Sequence, residues 1–172
     1  MKRVLVLGSG GAGKTTFAQR LGETIELPVV HLDGLFWKPG WVRTPDNEWA
    51  DILRVEIAKP EWIIDGNYGS SRQLRIDAAD TVILLDLPRR ICMWRIIKRT
   101  AMYYGRSRPD MAEGCVERFN MEFLVWVWTY KSRSLKRVMA DLSKARGKRI
   151  VILRNTREIE NFLNEPHAYE TR

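Results

Sequence analysis

The chain has 172 residues, 45% hydrophobic and 29% charged, enough for one soluble domain with a real core and not comfortably for two. No apolar run reaches the roughly 18 residues of a membrane span, and the basic start runs straight into a strand, so a cytoplasmic protein with neither leader nor membrane partner is expected. The formal net charge of +8, with arginine outnumbering lysine about two to one, favours anionic partners and leaves nucleotide phosphates, nucleic acid and a merely basic surface all open.

Val4, Leu5, Val6 and Leu7 form a short apolar run, the pattern of a strand buried on both faces of a parallel sheet. It ends at Gly8-Ser9-Gly10-Gly11-Ala12-Gly13-Lys14-Thr15, which fits the phosphate-binding pattern G-x-x-x-x-G-K-[ST]. Glycines let the main chain approach a phosphate closely, and the N–H groups of the loop and of the following helix make an anion nest. Lys14 is placed to reach the β/γ-phosphates and the Thr15 hydroxyl to ligate Mg²⁺, with Thr16 beside it. The motif predicts a nucleoside triphosphate site.

A helix over 14–26 is followed by a strand over 28–33 that ends in Asp33 and is closed by Gly34. An aromatic, Pro/Gly-rich loop carries Trp37 and Trp41, and Thr44-Pro45-Asp46 reads as a helix start with a capping side chain. Pro60 ends that helix. A third strand, 62–67, contains Asp65; a turn or two of helix over 70–76 carries Arg72 and Arg75; a fourth strand, 81–86, ends in Asp86. Pro88 opens a helix to about Tyr104, Gly105 to Gly114 reads as a mobile loop, and a long helical region runs from about Val116 to Ala145. The fifth strand, 149–153, leads to a capping box at Asn155–Glu158, a last short helix and a frayed polar tail over 164–172. Cys92 and Cys115 have no metal-ligand spacing and read as free thiols.

Strands alternating with helices imply an α/β fold with a parallel sheet wrapped on both faces, whose ligands bind beyond the carboxyl ends of the strands. Gly8, Asp33, Asp65 and Asp86 fall along that edge, so three carboxylates converge on the phosphate loop.

The stretches GSGGAGKTT (8–16), HLDGLFWKPGW (31–41), WIIDGNY (62–68), LLDLPRR (84–90) and RPDMAEGCVERF (108–119) make the sequence resemble the adenylate-kinase-like P-loop kinases, and within them the group called DNA topology modulation proteins. The resemblance covers nearly the whole chain. It implies a three-layer fold with a five-stranded parallel sheet in the order 2-3-1-4-5. It also implies a core over 1–33, 60–100 and 147–163, an acceptor-binding region over 34–59 and a helical lid at about 103–118. The zinc-type lid cysteines of some relatives are missing.

On this reading Gly8 to Thr16 bind ATP, and Asp65 is preferred over Asp86 as the acid that orders Mg²⁺ through its waters. Asp33 is open between a base for a hydroxyl acceptor, a ribose contact and a turn cap. His31 reads as a packed strand residue. Trp37 and Trp41 are open between stacking on a base or sugar and plugging their loop onto the core. Arg43, Arg72 and Arg75 lie where an acceptor phosphate would be held, the last two on one helical face. Arg95, Arg99, Arg106 and Arg108 lead into or lie within the lid, with Arg133 on the next helix. Arginines swung onto the transferring phosphoryl group would stabilise its charge, against the alternative of a solvated basic face. Arg154 and Asn155 fall where related kinases contact adenine. The expectation is an ATP- and Mg²⁺-dependent small-molecule kinase with a nucleotide or nucleoside-like acceptor. The alternatives are a kinase of a non-nucleotide hydroxyl metabolite using Asp33 as base, and a nucleotide-gated DNA-binding regulator; nucleic acid is not the favoured partner, and oligomeric state is left open.

Overall fold

A computed structural model describes residues 1–108 and 111–169. In chain order it runs β1 (Arg3–Gly8), α1 (Lys14–Ile25), β2 (Val29–His31), α2 (Leu32–Phe36), β3 (Trp37–Lys38), β4 (Val42–Arg43) and α3 (Asp46–Ala58). There follow β5 (Trp62–Asp65), α4 (Arg72–Ala78), β6 (Thr81–Leu85), α5 (Arg89–Tyr103), α6 (Met121–Leu142), β7 (Arg149–Leu153) and α7 (Thr156–Asn164). Five strands form one parallel sheet in the order β2-β5-β1-β6-β7, which is the expected 2-3-1-4-5 when the β3–β4 hairpin is set aside.

The central strand shows why the sheet is covered on both faces. Alternation sends Val4 and Val6 into a core with Phe17, Leu21 and Phe162, and sends Leu5 and Leu7 into a second core with Leu53, Trp62, Ile76 and Leu142. The register aligns Val6 with Asp65 on one side and Gly8 with Leu85 on the other, and pairs His31 with Asp65, so the carboxyl ends of the strands share one edge.

Several boundaries differ from those the sequence suggests. β2 stops at His31, because a helical turn from Leu32 brings Leu32 and Phe36 together in the second core; Asp33 therefore sits in the first turn of α2 rather than at a strand end. α3 begins without a side-chain cap: Pro45 occupies the cap position, and the buried Thr44 hydroxyl donates to Phe36 O (2.7 Å) at the base of the hairpin. The expected helical lid shows no helix among the described residues of 104–120. Gly105 and Gly114 adopt positive φ, and two isolated bridges, Tyr104 with Glu117 and Ser107 with Val116, fold the segment on itself. Those bridges also delay α6 from Val116 to Met121, where the Asn120 side chain accepts from Phe123 N–H (3.0 Å). Residues 109–110 of the expected lid and 170–172 of the expected tail lie outside the described residues. No helix among the described residues is long and apolar enough to cross a membrane.

Candidate active site

The loop from Gly8 to Thr15 joins β1 to α1. Gly11 (φ 72°) and Gly13 (φ 88°) take left-handed conformations, and Gly13 caps α1 with no side-chain hydrogen bond. A 12-residue helix thus begins on a glycine loop with no side chain of its own turned back onto its first N–H groups. The loop is tightly backed: a Cβ on Gly11 would sit 2.3 Å from Cys92 O of α5, and one on Gly10 would sit 2.7 Å from the Phe123 ring of α6. Lys14 Nζ donates to Ser9 O (3.1 Å) across the loop. Asn67, just past β5, braces it from outside, donating to Gly8 O (2.6 Å) and accepting from Gly8 N–H (3.2 Å).

A cavity of about 1300 Å³ extends from Gly10, Gly11 and Gly13–Thr16 past Asp33, Trp37, Trp41, Asp65 and Tyr68 to Arg95, Arg99 and Arg108. That is more than one small ligand fills. Asp33 Oδ1 accepts from the Tyr68 hydroxyl at 2.6 Å. Burial first, and then the Asp33 charge, push the Tyr68 phenol well above its ordinary value, so it remains a donor. Asp65 is 4% exposed, and its Oδ2 lies 3.2 Å from His31 Nδ1, whose ring also meets Gln19 (3.4 Å). His31, the last residue of β2, packs against Asp65 as a strand residue and also lines the cavity. Asp86 is not in the cavity: it is paired with Lys131 (2.7 Å), beside Ser9 and Tyr130. Of the two acids weighed for Mg²⁺, Asp65 lines the cavity and Asp86 does not.

The uncapped α1 start, Lys14, the Thr15 hydroxyl and the Asp65 carboxylate fit a triphosphate with Mg²⁺. Among the described residues no group of three or more His, Cys, Asp or Glu is placed to cage a metal.

The arginines divide. Arg95 lines the cavity and donates to Ala12 O (3.3 Å). Arg99 Nη2 and Arg108 Nε converge on the carboxylate of Glu117 at 3.4 and 3.1 Å, and Thr100 Oγ1 donates to the same group at 3.0 Å. Arg106 and Arg133 are exposed and do not line the cavity.

The three expected acceptor-phosphate ligands point elsewhere. Arg43 pairs with Asp46 and lies over the Phe36 ring. Arg72 is tied to Asp141 (2.6 Å). Arg75 is fully buried and donates to three main-chain carbonyls, Gly66 O (2.7 Å), Asn67 O and Tyr68 O (both 2.8 Å). Sharing a helical face did not give Arg72 and Arg75 a joint task, because each found a closer partner within the fold. Arg154 and Asn155 also lie off the cavity: the Arg154 main chain donates to Glu158 (2.6 Å), and Asn155 caps α7 by accepting from Glu158 N–H (2.9 Å). Trp37 and Trp41 line the cavity and pack edge to face on each other at 5.6 Å, and Trp37 also packs against the second core. Sequence reasoning passed over Asn67, Tyr68 and Glu117. The first two follow Asp65-Gly66 directly, and a polar pair after a strand-end acid was the available signal; Glu117 had none.

No protein-family model matches the chain, and no curated protein does. Solved structures do. The crystal structure of shikimate kinase from Bacteroides thetaiotaomicron aligns over 96% of this chain and 95% of its own, with 14% identity and a TM-score of 0.56. Shikimate kinase from Acinetobacter baumannii in complex with shikimate aligns over 96% and 90%, with 13% identity and a TM-score of 0.58. At such identity the likeness speaks for the fold alone, one shared with these shikimate kinases, and the narrower DNA topology modulation group is not shown by it.

Proposed function

We propose that this chain is an ATP- and Mg²⁺-dependent phosphotransferase that acts on a hydroxyl group of a small-molecule acceptor. The observation that carries this reading is that Asp33 opens on the same cavity as Lys14 and Thr15, while Arg72 and Arg75, the candidate grips for an acceptor phosphate, are committed to the framework. ATP with Mg²⁺ supplies the transferable γ-phosphoryl group. Lys14 and the loop N–H groups hold the phosphates, and Asp65 serves the metal's water shell. Asp33, oriented by Tyr68, accepts the hydroxyl proton as the acceptor oxygen bonds to phosphorus and the bond to the departing ADP oxygen breaks. Arg95, Arg99 and Arg108, which line the cavity, would stabilise the charge that develops on the transferring oxygens. Trp37 and Trp41 offer aromatic surface to an acceptor with a flat or ring-shaped body, which keeps nucleoside-like compounds within the class. The likeness to structures named for shikimate, a hydroxylated ring acid, supports a hydroxyl acceptor without identifying this one.

The test is an ATP-consumption screen with Mg²⁺ over nucleosides, nucleoside monophosphates and small hydroxylated metabolites, with Lys14→Ala as the blank. Asp33→Asn should cost a hydroxyl acceptor about 10²–10⁴-fold in turnover, the usual contribution of a general base. Turnover confined to nucleoside monophosphates and indifferent to Asp33→Asn would refute the assignment. ATP-dependent retention on DNA with no stimulating acceptor would replace it with the regulator.

A further inference from the structure

The segment 114–117 touches both halves of the cavity. On one side it is bonded to the aromatic loop between β3 and β4 at three successive positions. Gly40 N–H donates to Gly114 O (3.1 Å), Cys115 Sγ to Lys38 O (3.3 Å), and Trp41 Nε1 to Val116 O (2.8 Å). Trp41 adopts φ 62°, a left-handed conformation uncommon for a bulky side chain, and its indole bond to Val116 helps to hold it there. On the other side the very next residue, Glu117, receives Arg99 and Arg108. These two arginines reach one point from different elements, α5 and the segment that follows it. Without a counter-charge they would repel. The Glu117 carboxylate is 5% exposed, so its attraction for them is little screened by water. Its main chain is fixed as well, donating to Arg106 O (2.9 Å) and accepting from Gly105 N–H (3.1 Å).

We propose that Glu117 is a positioning residue which, through 114–116, couples the acceptor loop at Trp41 to Arg99 and Arg108 in the cavity wall, so that occupancy of either half of the cavity orders the other. This rests on the phosphotransferase reading above. Coupling of this kind is reciprocal, so nucleotide alone should be felt at the acceptor loop. It gives ATP a reason to wait for its acceptor, because the arginines are aligned for transfer only when the aromatic loop is seated.

The experiment is hydrogen–deuterium exchange with and without Mg²⁺ and a non-hydrolysable ATP analogue, on the whole chain and on two variants. E117Q keeps the side chain's size and an acceptor for Thr100 while removing the charge; W41F keeps an aromatic ring while removing the indole N–H. In the native protein the analogue should slow exchange at residues 38–41 at least threefold, besides protecting 8–16. In both variants the protection of 8–16 should persist and that of 38–41 should be lost. With an acceptor from the screen, E117Q should lose at least tenfold in kcat with KM for ATP within about threefold, a split that a purely structural glutamate would not give. Protection of 8–16 without any change at 38–41 in the native protein overturns the coupling, as does undiminished protection of 38–41 in W41F, which needs no buried charge removed. Absence of protection at 8–16 would instead refute the nucleotide site itself.

Discussion

Replacing Arg75 by methionine separates framework from substrate grip. The guanidinium is sealed from solvent, and its three carbonyl acceptors belong to Gly66, Asn67 and Tyr68, the segment that carries the brace on Gly8 and the donor to Asp33. Burial, and then the nearby Arg72 charge, push the Arg75 pKa down, so the carbonyl dipoles are what make the cation tolerable there. Methionine preserves the apolar stem and leaves Gly66 O and Asn67 O without this donor, while Tyr68 O keeps the Ser71 N–H (3.2 Å). At roughly 1–2 kcal/mol for each of the two, the loss is about 2–4 kcal/mol. For a chain of this size each kcal/mol moves the thermal midpoint by about 2–4 °C, so a fall of about 10 °C is expected. Calorimetry or circular dichroism reads the midpoint, and acceptor KM is measured on the same preparation below the transition. A variant that melts within about 2 °C of the native protein, yet shows a selectively raised acceptor KM, would refute the argument and restore Arg75 as a ligand.

Tyr68→Phe removes the donor to Asp33 without emptying space, so stability should change little while kcat for a hydroxyl acceptor falls about tenfold, in line with a lost hydrogen bond to a charged group; unchanged kcat would show that Asp33 is oriented by something else. Gly11→Ala drives a Cβ to 2.3 Å from Cys92 O at a positive φ, so the loop must leave its seat on α5, and titration should show at least tenfold weaker binding of the ATP analogue. Native affinity in that variant would mean that the loop is not held against α5 when nucleotide binds.

What the sequence made legible was local and repetitive. Val4–Leu7 alternates between two cores, and the glycine pattern after it needs only eight consecutive residues, so both could be read without knowing the rest of the chain. The strand order came with the resemblance and matches the structure. What escaped was the destination of long side chains. Arg72 finds Asp141 sixty-nine positions away, and Asp86 pairs with Lys131 on α6; no spacing within a segment announces either. Arg75 turned onto the carbonyls of Gly66, Asn67 and Tyr68, seven to nine positions away, a nearer set of acceptors than any distant ligand. The start of α6 was misread for a similar reason, since Val116 and Glu117 are claimed by residues 104–107 before a helix can use them.

The longest helix has a mechanical consequence. α6 is held near its C-terminal end by Asp141 on Arg72 and by Leu142 in the second core, and near the other end Phe123 and Val127 press against Gly10. Between residues 123 and 141 the rod is about 27 Å long at 1.5 Å per residue. A tilt of about 2° about the anchored end moves the Phe123 ring by about 1 Å, a displacement the close-packed contact at Gly10 cannot absorb without shifting the loop. A change of tilt at the Arg72 end would therefore be felt at the turn expected to carry the phosphates.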